Sequence, residues 1–286
     1  MSQVITEAAE AFRRAVFSAP LGELSFPTNF DVSRKILKAI ENPEIDLSVL
    51  AKIVSAEPLL SAKMIRFANS VALNPGNQVV RDVRQAVLRV GMDLTKALTL
   101  VLMMDQLRQA STHRNVRKFT NLLWERSVHV AALTYVLARK LTKLSADEAM
   151  FAGIVHNLGR FYLLFRAAKY PVLFDDMEAL SALINDLSER ASEQLLKAVN
   201  LPASVLESVL AARHFSGHLP PSNLSDLLHV ACVLSPQSDP FDELDPRRVT
   251  AEVDPRIHDF INQRKMADLL ASSKNEIDSM VGALAL

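Results

Sequence analysis

One cysteine, Cys232, is all the thiol that the 286 residues carry. A lone cysteine excludes an intrachain disulfide and any zinc site built on several thiolates. Glycine is also scarce, at seven residues. None of the seven sits in a Walker loop or a dinucleotide fingerprint, and NPGNQ (74–78) is too short for a phosphate cradle. No G-x-S-x-G elbow is present to hold a nucleophilic serine. Net charge is missing too: 32 basic residues offset 32 acidic ones. The global footprint of a nucleic-acid or anionic-membrane binder is therefore absent, and no nucleic-acid partner is expected. No run of 18 apolar residues occurs, so no membrane span is expected. The opening MSQVITEAAEAFRRAV lacks a signal-peptide core, which makes the cytoplasm the expected location.

What is present is an ordinary globular composition, 49% apolar and 22% charged, long enough for one large domain or two smaller ones. Apolar residues recur at helical spacing almost throughout. Leu60, Met64, Phe67 and Val71 mark one face, and Val80, Val83, Val87 and Val90 another. No segment alternates as a strand with hairpin turns. The expected fold is all-α. Pro20, Pro27, Pro43, Pro58, Pro75, Pro171 and Pro202 fit first turns or connections. Asp46 is placed to cap LSVLAKIVSA, and Glu57-Pro58 to open LLSAKMIRFANS. LNPGNQ (73–78) reads as a turn, and Asp82 suits the positive end of the helix that follows. A long helix over about 116–141 is a candidate spine. Three helices are expected over 145–200, then helices over 202–215 and 222–235, a loop at 236–248, and one last amphipathic helix over about 256–284.

Residues 153–160, GIVHNLGR, hold the one near-motif. Adjacent His and Asp on a helix can supply two ligands to a divalent cation. Here Asn157 keeps the shape of aspartate without its charge. His156 and Asn157 are then either a buried hydrogen-bonding pair or a weakened metal or nucleotide site. His129 on the long helix reads as packed or hydrogen-bonded. His214 and His218 flank Phe-Ser-Gly, with Gly217 expected to end the helix between them, and a loop site there is the alternative. His229 and Cys232 lie three apart, but zinc would need two more ligands. Cys232 itself reads as a buried, inert thiol. His113 and His258 read as surface residues. Asn69-Ser70 reads as a helix C-terminal cap, with part of a groove as the alternative. RQASTHRNVRK (108–118) is a basic run, either a solvated connection or a docking patch.

These segments, taken in order, resemble the HDOD family of bacterial signalling proteins, relatives of the HD-domain phosphohydrolases. LSFPTNF (24–30) looks like that family's LPxLP opening, with the second proline kept as Pro27. AEPLLSAKMIRFANS (56–70) is similar to DPxLxxxLLxxANS, and VVRDVRQAVLRVGMDLTKAL (79–98) to I-x-S-x-x-x-A-I-x-x-L-G. LLWERSVHVAALTYVLA, MFAGIVHNLGRFYLL, AARHFSGH and LLHVACVL continue in sequence, so the likeness spans about 20–235. It implies two helical lobes, about 20–115 and an HD-like 116–286, behind an N-terminal helix at 1–19. The HD relatives hold metal with a His, a His-Asp pair and a distal Asp. Those positions fall at Arg126, at His156 and Asn157, and near Cys232, with His129 as a substitute in a shifted register. Only His156 retains its ligand, and Arg126 brings positive charge to a cation's place.

The resemblance therefore implies a non-catalytic signalling module that binds a protein partner, with no cofactor and no metal, in motility, biofilm or stress circuits. Two other readings stand beside it: a metal-dependent phosphohydrolase of nucleotides or cyclic nucleotides, and a pocket that binds a nucleotide messenger without turnover. The apolar helix AAEAFRRAVFSA has two candidate roles, packing on the domain or forming a homodimer.

Overall fold

Side-chain caps start several helices where the sequence places them. The computed structural model describes residues 3–18, 31–42, 44–110, 114–199, 201–249 and 253–285. Pro20, Pro27, Pro43, LSFPTNF and His113 lie outside them. Asp46 accepts from Ser48 N and opens α3 (Leu47–Ser55). Glu57 accepts from Leu59 N, with Pro58 in the first turn of α4 (Pro58–Ala68). Asp82 accepts from Gln85 N at 2.8 Å and starts α5 (Val83–Ala110). Asn69 ends α4 and does more than cap it. Its amide donates to Ile65 O at 2.9 Å and to Val80 O at 2.7 Å, and its oxygen accepts from Val80 N at 2.8 Å, which stitches the helix end to the start of the next element.

The glycine of the family-like segment, Gly91, has φ 78° and ψ 178° inside α5. Side chains avoid that conformation, so α5 is two helices joined at a glycine-only break. The face named by Leu60, Met64 and Phe67 is fully buried, but Val71 is 54% exposed. The reason is local: α4 stops at Ala68, so the helical period that pointed Val71 inward has already ended.

The spine is α6 (Arg114–Leu141), with α7 (Ala146–Val155) packed along it. Every residue of α7 from Ala149 to Val155 is buried, as befits a helix that is apolar all round. Next come α8 (Leu158–Ala167), a 3-10 turn at Pro171–Asp175, α9 (Met177–Ala198), α10 (Ala203–Ala211), α11 (Leu224–Leu234) and the short α12 (Pro246–Val249). The expected last helix is two, α13 (Pro255–Ile261) and α14 (Arg264–Leu284), because Asn262 closes the first and Gln263 turns the chain into the second. The stretch 236–248 is irregular as expected, apart from α12 at its end. In front of the spine stands α2 (Asp31–Ile40), packed against α3 and α5.

The N-terminal helix α1 (Gln3–Ser18) packs on the domain. It buries Phe12 and Val16, and Phe12 meets Tyr170 edge-on at 5.6 Å. At the other end, α14 lies against α4 and α6 and returns the C-terminus to the first half of the chain. No strand occurs among the described residues, and none of their helices is long and apolar enough to cross a membrane.

Candidate functional site

Two glycines place the site. A Cβ on Gly153 would lie 2.6 Å from the Ala131 Cα, and one on Gly159 would lie 2.7 Å from the Ser192 N. Their absence lets α7 press on α6 and α8 press on α9. The turn between α7 and α8, His156-Asn157, is thereby held at the junction of α6, α9 and α11. A cavity of about 950 Å³ opens there. Arg126, His156, Asn157, His214 and Cys232 all line it, as do His229 and Phe215.

His156 and Asn157 form a closed chain of hydrogen bonds. His156 Nδ1 faces Gly153 O at 2.7 Å, so that nitrogen carries the proton. Its Nε2 is left as an acceptor and takes one proton of the Asn157 amide at 2.9 Å. The other amide proton goes to Ser127 Oγ at 3.1 Å, which in turn donates to Leu123 O at 2.8 Å. Burial, more than the Arg126 charge, brings His156 down to about 4, so it is neutral at pH 7.

Beside it runs a second network, ionic. Buried Arg126 donates to Gln237 O and to Cys232 O, the latter at 3.0 Å, and its Nε lies 3.7 Å from Asp239 Oδ2. Arg160 is buried as well. It pairs with the same Asp239 oxygen, reaches Asp242 at 3.3 Å and donates to Asn185 Oδ1 at 2.7 Å. Burial raises the Asp239 carboxyl, but Arg160 and Arg126 outweigh it and hold it below the usual carboxylate range. The Cys232 thiol is pushed up by burial and stays protonated at neutral pH.

His214 sits past the end of α10, which stops at Ala211 well before Gly217, so His214 and His218 lie in a turn and share no helix face. His229 Nδ1 donates to Ala212 O at 2.7 Å, and its ring stacks on Phe215 at 5.8 Å. His129 is not among the cavity residues, and burial lowers its pKa. It therefore substitutes for nothing at Arg126. His258 is exposed.

The profile of the HDOD domain matches residues 26–215. The chain belongs to the HDOD family. At full length it is similar to a candidate metal-dependent phosphohydrolase of Shewanella amazonensis SB2B, with 20% identity over 99% of this chain and 100% of that one and a TM-score of 0.70. An HDOD domain protein of unknown function from Geobacter sulfurreducens aligns over 97% of both chains at 18% identity and a TM-score of 0.57. Identities this low establish a shared fold alone. An uncharacterized protein of Treponema pallidum (strain Nichols) is 26% identical over 182 residues, a match that takes in 62% of this chain and 30% of that longer protein.

The resemblance to the HD phosphohydrolases implies a metal, and the donor set here does not fit one. His156 has both ring nitrogens engaged, Asn157 is neutral, Cys232 is a thiol, and a guanidinium stands at Arg126. No group of three His, Cys, Asp or Glu side chains fit to hold a metal exists among the described residues. Three residues that shape the site are not among the sequence candidates: Arg160, Arg213 and Asp239. Arg160 alone left a signal, a cation in the otherwise apolar LGRFYLLF. Asp239 lies in an acidic loop whose carboxylates look alike until the fold selects one.

Proposed function

We propose that the chain is a non-catalytic HDOD regulatory module that acts by protein–protein interaction. The observation that carries this reading is the Arg126–Asp239–Arg160 ion pair beside the His156–Asn157–Ser127 hydrogen bonds. The groups that face one another where HD relatives bind a cation are spent on each other. Arginine cannot give up its proton, and a positive charge at that place opposes a divalent cation. The alternative is a metal-dependent phosphohydrolase of nucleotides or cyclic nucleotides, and the Shewanella protein is a candidate metal-dependent phosphohydrolase.

Metal analysis of the purified protein with a phosphodiesterase screen separates the two. The module reading expects no stoichiometric Mn, Fe, Ni or Zn and no turnover. Bound metal at one per chain, with turnover abolished in His156→Ala, would overturn it. Affinity capture from the native cell then identifies the partner.

A further inference from the structure

Four arginines converge on the cavity, Arg126, Arg160, Arg213 and Arg248, and they are not equally compensated. Arg248 reaches Asp242 at 3.5 Å and Asp245 at 3.9 Å. Arg126 and Arg160 share one oxygen of Asp239. Arg213 has no carboxylate within 4.0 Å among the described residues; its one hydrogen bond goes to Ser188 Oγ at 2.8 Å. A second observation points the same way. The Nε atoms of Arg126 and Arg160 are buried, in side chains only 10% and 7% exposed, and lack a hydrogen-bond partner among the described residues. A guanidinium binds an oxyanion best through Nε and Nη together, and one shared carboxylate cannot serve both forks.

We propose that Asp239 is a built-in stand-in for an anionic ligand, and that a phosphate-bearing small molecule enters at Arg213 and displaces it from Arg126 and Arg160. This rests on the non-catalytic reading of the same cavity. A phosphate offers three oxygens and up to two charges, which suits two forks better than one carboxylate does. The cavity, about 950 Å³, has room for a nucleotide, and Phe215 stacked on His229 gives an aromatic wall for a base. The covering strap is short. Phe241 is fully buried against Phe119 at 5.4 Å, so the chain past it is pinned. Ahead of it Pro236 and Ser238 are exposed. Residues 236–239 are the part that moves, and their release changes the surface shown to a partner.

Calorimetric titration with pyrophosphate, at constant ionic strength, tests this. Saturable binding is expected, tightened at least tenfold in Asp239→Asn and weakened at least tenfold in Arg213→Gln. The exposed Arg81→Gln is expected to match the unmutated chain. Amide exchange at 237–239 should quicken on binding. No binding by either the unmutated chain or Asp239→Asn would overturn the proposal. So would equal affinity in Arg213→Gln, a variant at an exposed position, or unchanged exchange at 237–239 in the saturated protein. ADP in place of pyrophosphate locates the base: tighter ADP binding places it on Phe215–His229, and equal binding limits recognition to phosphate, both within the proposal. Phosphate release from ADP would sink the non-catalytic reading and leave the binding standing. Absence of binding would sink this inference and leave that reading standing.

Discussion

Asn157 spends both protons of its amide, one on His156 Nε2 and one on Ser127 Oγ. An aspartate there would restore the letter of a His-Asp pair and break both bonds. Its carboxylate would face the lone pair of Nε2. Asn157→Asp is therefore expected to lose about 1–3 kcal/mol of stability at pH 8, without gaining metal, and to recover part of it at pH 5 as His156 protonates. Denaturant unfolding at the two pH values checks the sign. In the unmutated chain the sign is opposite. His156 is lowered to about 4 when folded, from 6.5, so the folded state binds fewer protons in that window. Stability falls as pH drops from 6.5 to 4, by up to about 3 kcal/mol. His156→Asn is expected to flatten that slope.

Helices rather than single residues answer for the glycines. Alanine favours a helix over glycine by about 1 kcal/mol, so Gly→Ala stabilises where there is room. Gly282 in α14 has room, since a Cβ would come no nearer than 3.8 Å to Arg66. Gly153 and Gly159 have none, because backbone atoms of α6 and α9 block the place. Gly282→Ala is expected to gain up to about 1 kcal/mol. Gly153→Ala and Gly159→Ala are each expected to lose about 1–3 kcal/mol, read as shifts in the unfolding midpoint. A gain at Gly153 would mean that α7 is not held on α6 by close contact. The helix ends were legible in the sequence for a related reason. Asp46, Glu57 and Asp82 act on amides two or three residues away, so neighbours in sequence suffice to name them. Val71 misled because a period carries no mark of where its helix stops.

At the scale of the molecule, the profile match ends at residue 215, and the fold does not. The α11 helix lies against α6, α7 and α10 and brings Cys232 to the cavity. The α14 helix buries Met266, Ile277, Met280, Ala283 and Leu284. It is tied to α6 by Glu276, which takes Arg139 at 2.7 Å and Lys140 at 3.1 Å. Burying a large apolar side chain is worth about 1.5–3 kcal/mol, and a whole domain keeps about 5–15 kcal/mol. A chain cut after residue 215 is therefore expected to lose its cooperative thermal transition and to bind a hydrophobic dye. A sharp transition in that fragment would show that the segment after residue 215 is an addition to the fold rather than part of it.

Sequence alone determined what local chemistry can determine: the helical class, most helix starts and the family. Five of the proposed site residues, Arg126, His156, Asn157, His214 and Cys232, do share one cavity. Their roles belong to the tertiary structure. Only the fold kept His129 out of the cavity, brought Asp239 across 79 residues to Arg160, and left Arg213 with no carboxylate within 4.0 Å among the described residues. The physical reason is range. A cap or a period acts within a turn or two of chain, whereas the charge balance of a buried cavity is set by whichever distant side chains the packing brings within about 4 Å.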